Sequence, residues 1–227
     1  MLLQNLKSPD IEKLDKDGII VVIPLGSIEA HGPHLPIGAD SIIAEHFAKK
    51  VCSELDNTIV APTIQYAFNL INYDYSGTVS VHPEHYADFL HDIVVSLHHH
   101  GFSRFVLFSG HGGNDLPAKL AIIRILNSNP IIKMAYKTWW QLAKVRSKHA
   151  EKIETELIMM IAPELVENEK AIDCKPENPW HWFASRKKYY PDTFGVNGEP
   201  TKANMKDSEI LYKRVTDGLR EFLMEIA

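Results

Sequence analysis

Apolar residues fall into two kinds of run along this chain. The first kind is short and continuous: Gly18-Ile-Ile-Val-Val-Ile-Pro-Leu25, Thr58-Ile-Val-Ala61, Arg104-Phe-Val-Leu-Phe108 and Ile131-Ile-Lys-Met-Ala-Tyr136. Such β-branched and aromatic runs suit strands buried on both faces. The second kind repeats at helical spacing, over 5–17, 41–55, 83–100, 116–126, 138–145, from Glu151 or Ile153 to Met160, and over 207–226. The 83–100 segment shows the pattern well, with Pro83 in its first turn, Phe89, Ile93, Val94 and Leu97 on one face, and Gly101 as its stop. Strands alternating with helices predict one α/β domain over 1–227 with a mainly parallel central sheet.

Three segments break both periods. Residues 62–82 carry Tyr66, Phe68, Tyr73, Tyr75 and a Ser76-Gly77-Thr78 turn, and 173–205 carry Trp180, Trp182, Tyr189, Tyr190 and prolines at 176, 179, 191 and 200. Loops of that length are more often functional than idle. The third, Gly26 to Asp40, directly follows the first strand and has glycines at 26, 32 and 38 and prolines at 33 and 36. It cannot be a regular helix or strand, and it gathers Glu29, His31, His34 and Asp40.

Composition narrows the function classes. The 227 residues are 45% hydrophobic and 23% charged with net charge −5, which suits a soluble globular protein and gives no reason to expect nucleic acid or an anionic membrane as partner. Only Cys52 and Cys174 occur, outside any CxxC pattern, so a reducing compartment, the cytoplasm, is expected. The N-terminus lacks a signal-peptide apolar region and no run is long enough to span a bilayer.

Placed on this map, the polar residues converge. Glu29, His31 and Asp40 follow the first strand, His111 follows the third, and His149 and Glu154 follow the fourth and its Trp139-Trp140 helix. In a parallel sheet the C-terminal ends of strands form a single edge, where ligands bind. Carboxylates and imidazoles together suit Zn²⁺, Mn²⁺ or Fe²⁺ rather than Ca²⁺. Asp40 is placed to bridge two ions, and a dinuclear site generates hydroxide at neutral pH and polarises a carbonyl. Plainer readings apply nearby. His34 suits a structural hydrogen-bonder in a Pro-rich turn, His46 and His98 to His100 read as solvated helix residues, and Trp139 and Trp140 suit a core. Ser109-Gly-His-Gly-Gly-Asn114 could cradle a phosphate after a strand, but it lacks GxGxxG spacing.

These residues carry a family resemblance. Ile23-Pro-Leu-Gly-Ser-Ile-Glu-Ala-His-Gly-Pro-His-Leu-Pro-Ile-Gly-Ala-Asp40 resembles the signature of the creatininase family of metal-dependent amidohydrolases. Ser109-Gly-His-Gly-Gly-Asn114 is similar to its second motif, usually Asn-Gly-His-Gly-Gly-Asn. His149-Ala-Glu-Lys-Ile-Glu-Thr155 is similar to its third, His-Ala-Gly-x-x-Glu-Thr. Ser76-Gly-Thr-Val-Ser80 and Gly195-Val-Asn-Gly-Glu-Pro200 match further segments.

The resemblance implies a three-layer α/β/α sandwich, two divalent ions (Zn²⁺ first, then Mn²⁺ or Fe²⁺) and a homohexamer. By position, Glu29, Asp40 and His111 would hold one ion and His31 and Asp40 the second. The family's namesake enzyme adds a glutamate two residues after the second-motif histidine; here that position is Gly113, so the missing carboxylate is assigned to Glu154. His149 matches the family's proton-transfer residue, and Trp140 falls near a tryptophan that shapes the substrate pocket. The expected activity is hydrolysis of a C–N bond in a small cyclic or linear amide by a metal-bridging hydroxide. The alternatives are C–C hydrolysis of a cyclic ketone on the same metals, a non-catalytic metal-binding subunit on the same scaffold, and a dinucleotide-binding oxidoreductase.

Overall fold

A computed structural model describes residues 1–174 and 194–227. Its centre is a four-stranded parallel sheet in the order β2-β1-β3-β4, made of β1 (Ile20–Leu25), β2 (Thr58–Val60), β3 (Arg104–Ser109) and β4 (Lys133–Thr138). The strands are joined by α2 (Ala39–Cys52) between β1 and β2, α3 (Pro83–His99) between β2 and β3, and α4 (Asp115–Ser128) between β3 and β4. After β4 come α5 (Trp139–Leu142), α6 (Lys152–Ile161) and the closing α7 (Met205–Glu225), while the short α1 (Ser8–Glu12) precedes the sheet.

The unbroken apolar strands are explained by two cores. Along β1, Ile20 and Val22 enter a core built with α2, α6 and α7, and Val21 and Ile23 enter the opposite core with α3 and α4. In β3, Val106 and Phe108 face the first core and Phe105 and Leu107 the second. Successive strand residues point to opposite faces, so a strand covered on both sides has no polar face to show. The result is the expected α/β/α layering. The chain leaves β1 toward β2 on one side, and after β2 it crosses to β3 on the other, so the strand order reverses between β1 and β3. Open α/β sheets bind ligands in the crevice at that reversal.

Several boundaries differ from the sequence expectation. The fourth strand runs 133–138 rather than 131–136, because its register is set by pairing with β3, from Arg104 opposite Lys133 to Ser109 opposite Thr138. Ile131 is 69% exposed in the turn before it. The 5–17 helix shrinks to Ser8–Glu12, with no buried residue to hold further turns; Leu3, Leu6, Ile11 and Leu14 pack individually against the α3–α4 core. His46 is no solvated residue: it is half-buried, hydrogen-bonds Tyr212 at 2.8 Å and meets Phe47 edge-on. Trp139 is fully buried, as a core residue. Trp180, Trp182, Tyr189 and Tyr190 lie outside the described residues.

Candidate metal centre

The loops leaving β1 and β3 start side by side, since Leu25 pairs with Ser109 and the Gly110 N–H donates to the Leu25 carbonyl at 2.8 Å. Asn114 ties them together by donating from Nδ2 to the Gly26 carbonyl, 3.0 Å, and to Ser109 Oγ, 3.2 Å. Gly110 allows the closest approach: a Cβ there would sit 2.1 Å from the Asp40 carbonyl oxygen. His111 is thereby carried to the first turn of α2, where Asp40 is the second residue and its charge is favoured by the helix N-terminus.

The structure brings all six sequence-predicted polar residues together. Glu29, His31, Asp40, His111 and Glu154 are each at most 7% exposed, and the His149 side chain is 22% exposed. Asp40 is central. Its Oδ1 lies 3.2 Å from His31 Nε2, and its Oδ2 lies 2.9 Å from His111 Nδ1 and accepts from Ser27 Oγ at 2.7 Å. Glu29 Oε2 is 3.1 Å from His111 Nδ1 and 3.9 Å from His149 Nδ1. Glu154 Oε2 is 3.9 Å from His31 Nε2 and accepts from the Ala150 N–H at 2.6 Å. Among the described residues the potential ligand atoms form three overlapping groups, each spanning no more than 4.8 Å: Glu29–Asp40–His111, His31–Asp40–Glu154 and Glu29–His31–His149. The first two share only Asp40.

The imidazoles show how the cluster is used. His31 Nδ1 donates to the Glu29 carbonyl at 2.9 Å, His111 Nε2 to the Phe68 carbonyl at 3.0 Å and His149 Nε2 to the Ala30 carbonyl at 2.7 Å. In each ring one nitrogen is committed to the backbone and the other faces the carboxylates. Outer hydrogen bonds of this kind fix the tautomer and orientation of metal-ligating histidines. With the His111 proton on Nε2, Glu29 Oε2, buried and 3.1 Å from His111 Nδ1, faces a bare lone pair and has no hydrogen-bond partner, an arrangement that calls for an explanation. A cation between these atoms answers it, so the residues present fit a metal.

The electrostatics agree. Burial alone would raise the Glu29 carboxyl, but His111 and His149 pull it down to about 2. Burial likewise opposes the charge on Asp40, and His31 and His111 overcome it to hold the carboxyl well below its usual range. Burial resists protonation of His31, yet Asp40 and Glu154 bring it up to about 10, and Glu29 and Asp40 raise His111 well above the ordinary imidazole range in the same way. Glu154 is different: burial raises it to about 8 against the pull of His31. His149 is lowered, chiefly by burial. Without a cation the cluster holds protons where ligands need lone pairs.

Of the neighbouring residues, His34 makes a structural hydrogen bond and Trp140 packs against the core. His34 Nε2 donates to Thr155 Oγ1 at 2.9 Å and ties the first loop to α6. Trp140 is half-buried beyond the C-terminal end of β4, edge-on to Trp139 at 5.5 Å between centroids. Sequence reasoning missed Phe68 and Ala30, which act through backbone carbonyls, and Asn72, whose Nδ2 lies 2.8 Å from Glu29 Oε1. A backbone acceptor leaves no trace in residue type. The signal for Asn72 was slight: one of two amides, with Asn69, in an otherwise apolar and aromatic stretch from Phe68 to Tyr73.

Comparison with known proteins decides the family. The family profile Creatininase, described as creatinine amidohydrolase, matches residues 4–223. The chain belongs to the creatininase family. A 3-dehydro-scyllo-inosose hydrolase of Thermotoga maritima is 29% identical over 188 residues, 77% of this chain and 60% of that protein, so the chain spans less than two thirds of that relative's length. The mycofactocin precursor peptide peptidase of Mycolicibacterium smegmatis is 27% identical over 212 residues, covering 88% of this chain and 82% of that one. The crystal structure of creatinine amidohydrolase superposes with a TM-score of 0.90 at 20% identity, covering 99% of this chain and 96% of that chain, which speaks to the fold. Creatininase structures sharing this fold include a Mn form and a Zn–Zn form. At Gly113, two residues after the second-motif histidine, the structure leaves no room for a side chain. A Cβ at 113 would lie 2.1 Å from the Phe68 carbonyl oxygen and 2.3 Å from His111 Nε2.

Proposed function

We propose that the protein is a dinuclear metal-dependent amidohydrolase that cleaves a C–N bond in a small cyclic or linear amide. The observation that carries this reading is the disposition of the three imidazoles, each with one nitrogen on a backbone carbonyl and the other turned to a buried set of three carboxylates. Glu29, Asp40 and His111 would hold one ion, and His31, Asp40 and Glu154 the second. A pair of divalent ions, Zn²⁺ with Mn²⁺ or Fe²⁺ as alternatives, supplies hydroxide at neutral pH and polarises a carbonyl. Around it the chain's own residues position and relay. Ser27 Oγ holds Asp40 Oδ2, the Ala150 N–H holds Glu154, and the Ala30 carbonyl holds His149 so that Nδ1 faces the cluster. His149 is neutral at pH 7 because burial lowers it, so Nδ1 can take a proton and pass it to the leaving nitrogen. By the family resemblance Trp140, packed against the core beside Trp139, would shape the substrate pocket.

The family's description as an amidohydrolase and the mycobacterial relative's name as a peptidase both denote cleavage of C–N bonds. A second reading, C–C hydrolysis in a cyclic ketone, draws on the Thermotoga relative, named a hydrolase of a dehydro-inosose. The alternation of strands and helices supports a single domain, the family resemblance a homohexamer, and the two cysteines outside any CxxC pattern a cytoplasmic location; among the described residues no helix is long and apolar enough to cross a membrane. The test is elemental analysis of purified protein with Glu29→Ala and His111→Ala. Wild type is expected to hold two ions and each variant to lose one. Retention of both ions by either variant sinks the assignment. Turnover on a panel of lactams, formamides, cyclic ureas, short peptides and cyclic polyhydroxy ketones separates the two readings, and light scattering measures the assembly.

A further inference from the structure

We propose that Asn72 is a positioning residue that fixes Glu29 as a one-oxygen metal ligand and so couples the 62–82 segment to the ion held by Glu29, Asp40 and His111. The proposal rests on the metal reading above. Asn72 is 2% exposed. Its Nδ2 donates to Glu29 Oε1 at 2.8 Å and packs against His149 Nε2, whose own hydrogen goes to the Ala30 carbonyl. Against a carboxylate oxygen the amide must present its nitrogen, because only that end donates. One Glu29 oxygen is therefore occupied from outside the cluster, while the other, Oε2, is left without a hydrogen-bond partner and faces His111 Nδ1 at 3.1 Å. An unrestrained carboxylate rotates about its last bond and can offer both oxygens or neither. The amide removes that freedom.

Asn72 is held through its backbone, and its Oδ1 is buried without a hydrogen-bond partner against Gly195. The Asn72 carbonyl accepts from the Tyr75 N–H at 3.1 Å, closing a turn, and Gly195 lies so near that a Cβ there would sit 2.9 Å from Asn72 Oδ1. Gly195 has φ +92, a conformation side chains rarely adopt, so this approach is built into the backbone. The neighbouring Asn69 gives the contrast. It is equally buried, but its Nδ2 donates to the Val79 and Ile28 carbonyls, at 2.6 and 3.4 Å, and holds the loop to itself and to the first loop rather than to a ligand.

The experiment measures Zn²⁺ and Co²⁺ affinity of the full chain by competition with a chromophoric chelator, with the visible spectrum of the Co²⁺ form and far-ultraviolet circular dichroism to confirm folding. Asn72→Asp sets a second carboxylate against Glu29 Oε1, and Asn72→Ala leaves that oxygen bare; if the first does not fold, the second decides. Each is expected to weaken one of the two ions by about 10–100-fold and to change the Co²⁺ absorption intensity, which follows coordination number. Asn69→Ala is expected to lower the melting temperature and leave affinity and spectrum unchanged. Folded Asn72 variants with wild-type affinity and spectrum would overturn the proposal and leave the metal reading standing, as would an Asn69→Ala variant that loses affinity equally. A wild-type protein that takes up no ion would overturn both.

Discussion

The two halves of the candidate centre share Asp40 but are built differently. Glu29 and His111 come from the loops that leave the two central strands, which are locked together by the Leu25–Ser109 pair, the Asn114 bridge and the contact of Gly110 with α2. Glu154 comes from α6, in the outer layer, and reaches the cluster past Ala150, whose backbone has φ 50. The chemistry divides along the same line: Glu29 is drawn down to about 2 by its imidazole neighbours, while burial raises Glu154 to about 8. A carboxylate fixed between imidazoles at the sheet edge is ready to ligate at neutral pH. One delivered by a helix is protonated until an ion or a base takes its proton. The difference predicts that the Glu29–His111 half fills first.

Removing the shared residue should have the largest effect. Asp40→Asn is expected to bind neither ion, whereas Glu154→Gln should lose one ion and keep the other. Ion held at a thousandfold excess over Kd stabilises a fold by about 4 kcal/mol, and a domain of this size gains about 2–4 °C per kcal/mol. Each ion should therefore raise the melting temperature by about 8–16 °C, so wild-type protein with both should melt about 16–32 °C higher with Zn²⁺ than with chelator. Asp40→Asn should show no shift and Glu154→Gln an intermediate one. Two ions remaining on Asp40→Asn after dialysis would show that the halves do not share a bridge.

The next expectation is the order in which acid empties the halves. Binding must displace protons from His111 in the first half and from His31 and Glu154 in the second, since His31 is up at about 10, Glu154 at about 8 and His111 well above its usual range. Glu29 at about 2 and Asp40, well below its usual range, stay ionised. Proton competition lowers metal affinity as pH falls. Below pH 8 the log affinity should drop by about one per pH unit in the first half and about two in the second. Titrations at successive pH values should find the second ion leaving first; simultaneous loss would erase the distinction between the halves.

Legibility in the sequence follows a similar division. The sheet could be read because strands buried on both faces must be apolar throughout, as β1 and β3 are. The convergence of Glu29, His31, Asp40, His111, His149 and Glu154 followed from their positions after strands that turn out parallel. The limits of β4 could not be read, because pairing with β3 carries it through Lys137 and Thr138 while the apolar Ile131 lies in a turn. The supports of the histidines could not be read either. The carbonyls of Glu29, Ala30 and Phe68 are present in any residue, and only the folded path of the 62–82 segment places Phe68 against His111.

Gly113 offers the smallest and sharpest test of the comparison. At this position the Phe68 carbonyl and the His111 ring fill the space that a side chain would need. Gly113→Ala forces backbone and ring to shift, and such overpacking costs about 1–3 kcal/mol, a fall of about 2–4 °C in melting temperature per kcal/mol. The affected ligand is His111, so the variant should weaken the first ion and spare the second, the opposite of Glu154→Gln. The double variant Gly113→Glu with Glu154→Ala completes the argument. If the second carboxylate belongs to α6, a glutamate at 113 cannot replace it, because its Cβ already collides with the carbonyl that orients His111, and the protein should hold at most one ion. Recovery of two ions by that variant would mean that the loop after β3 can yield, and that the two halves are less different in construction than their geometry implies.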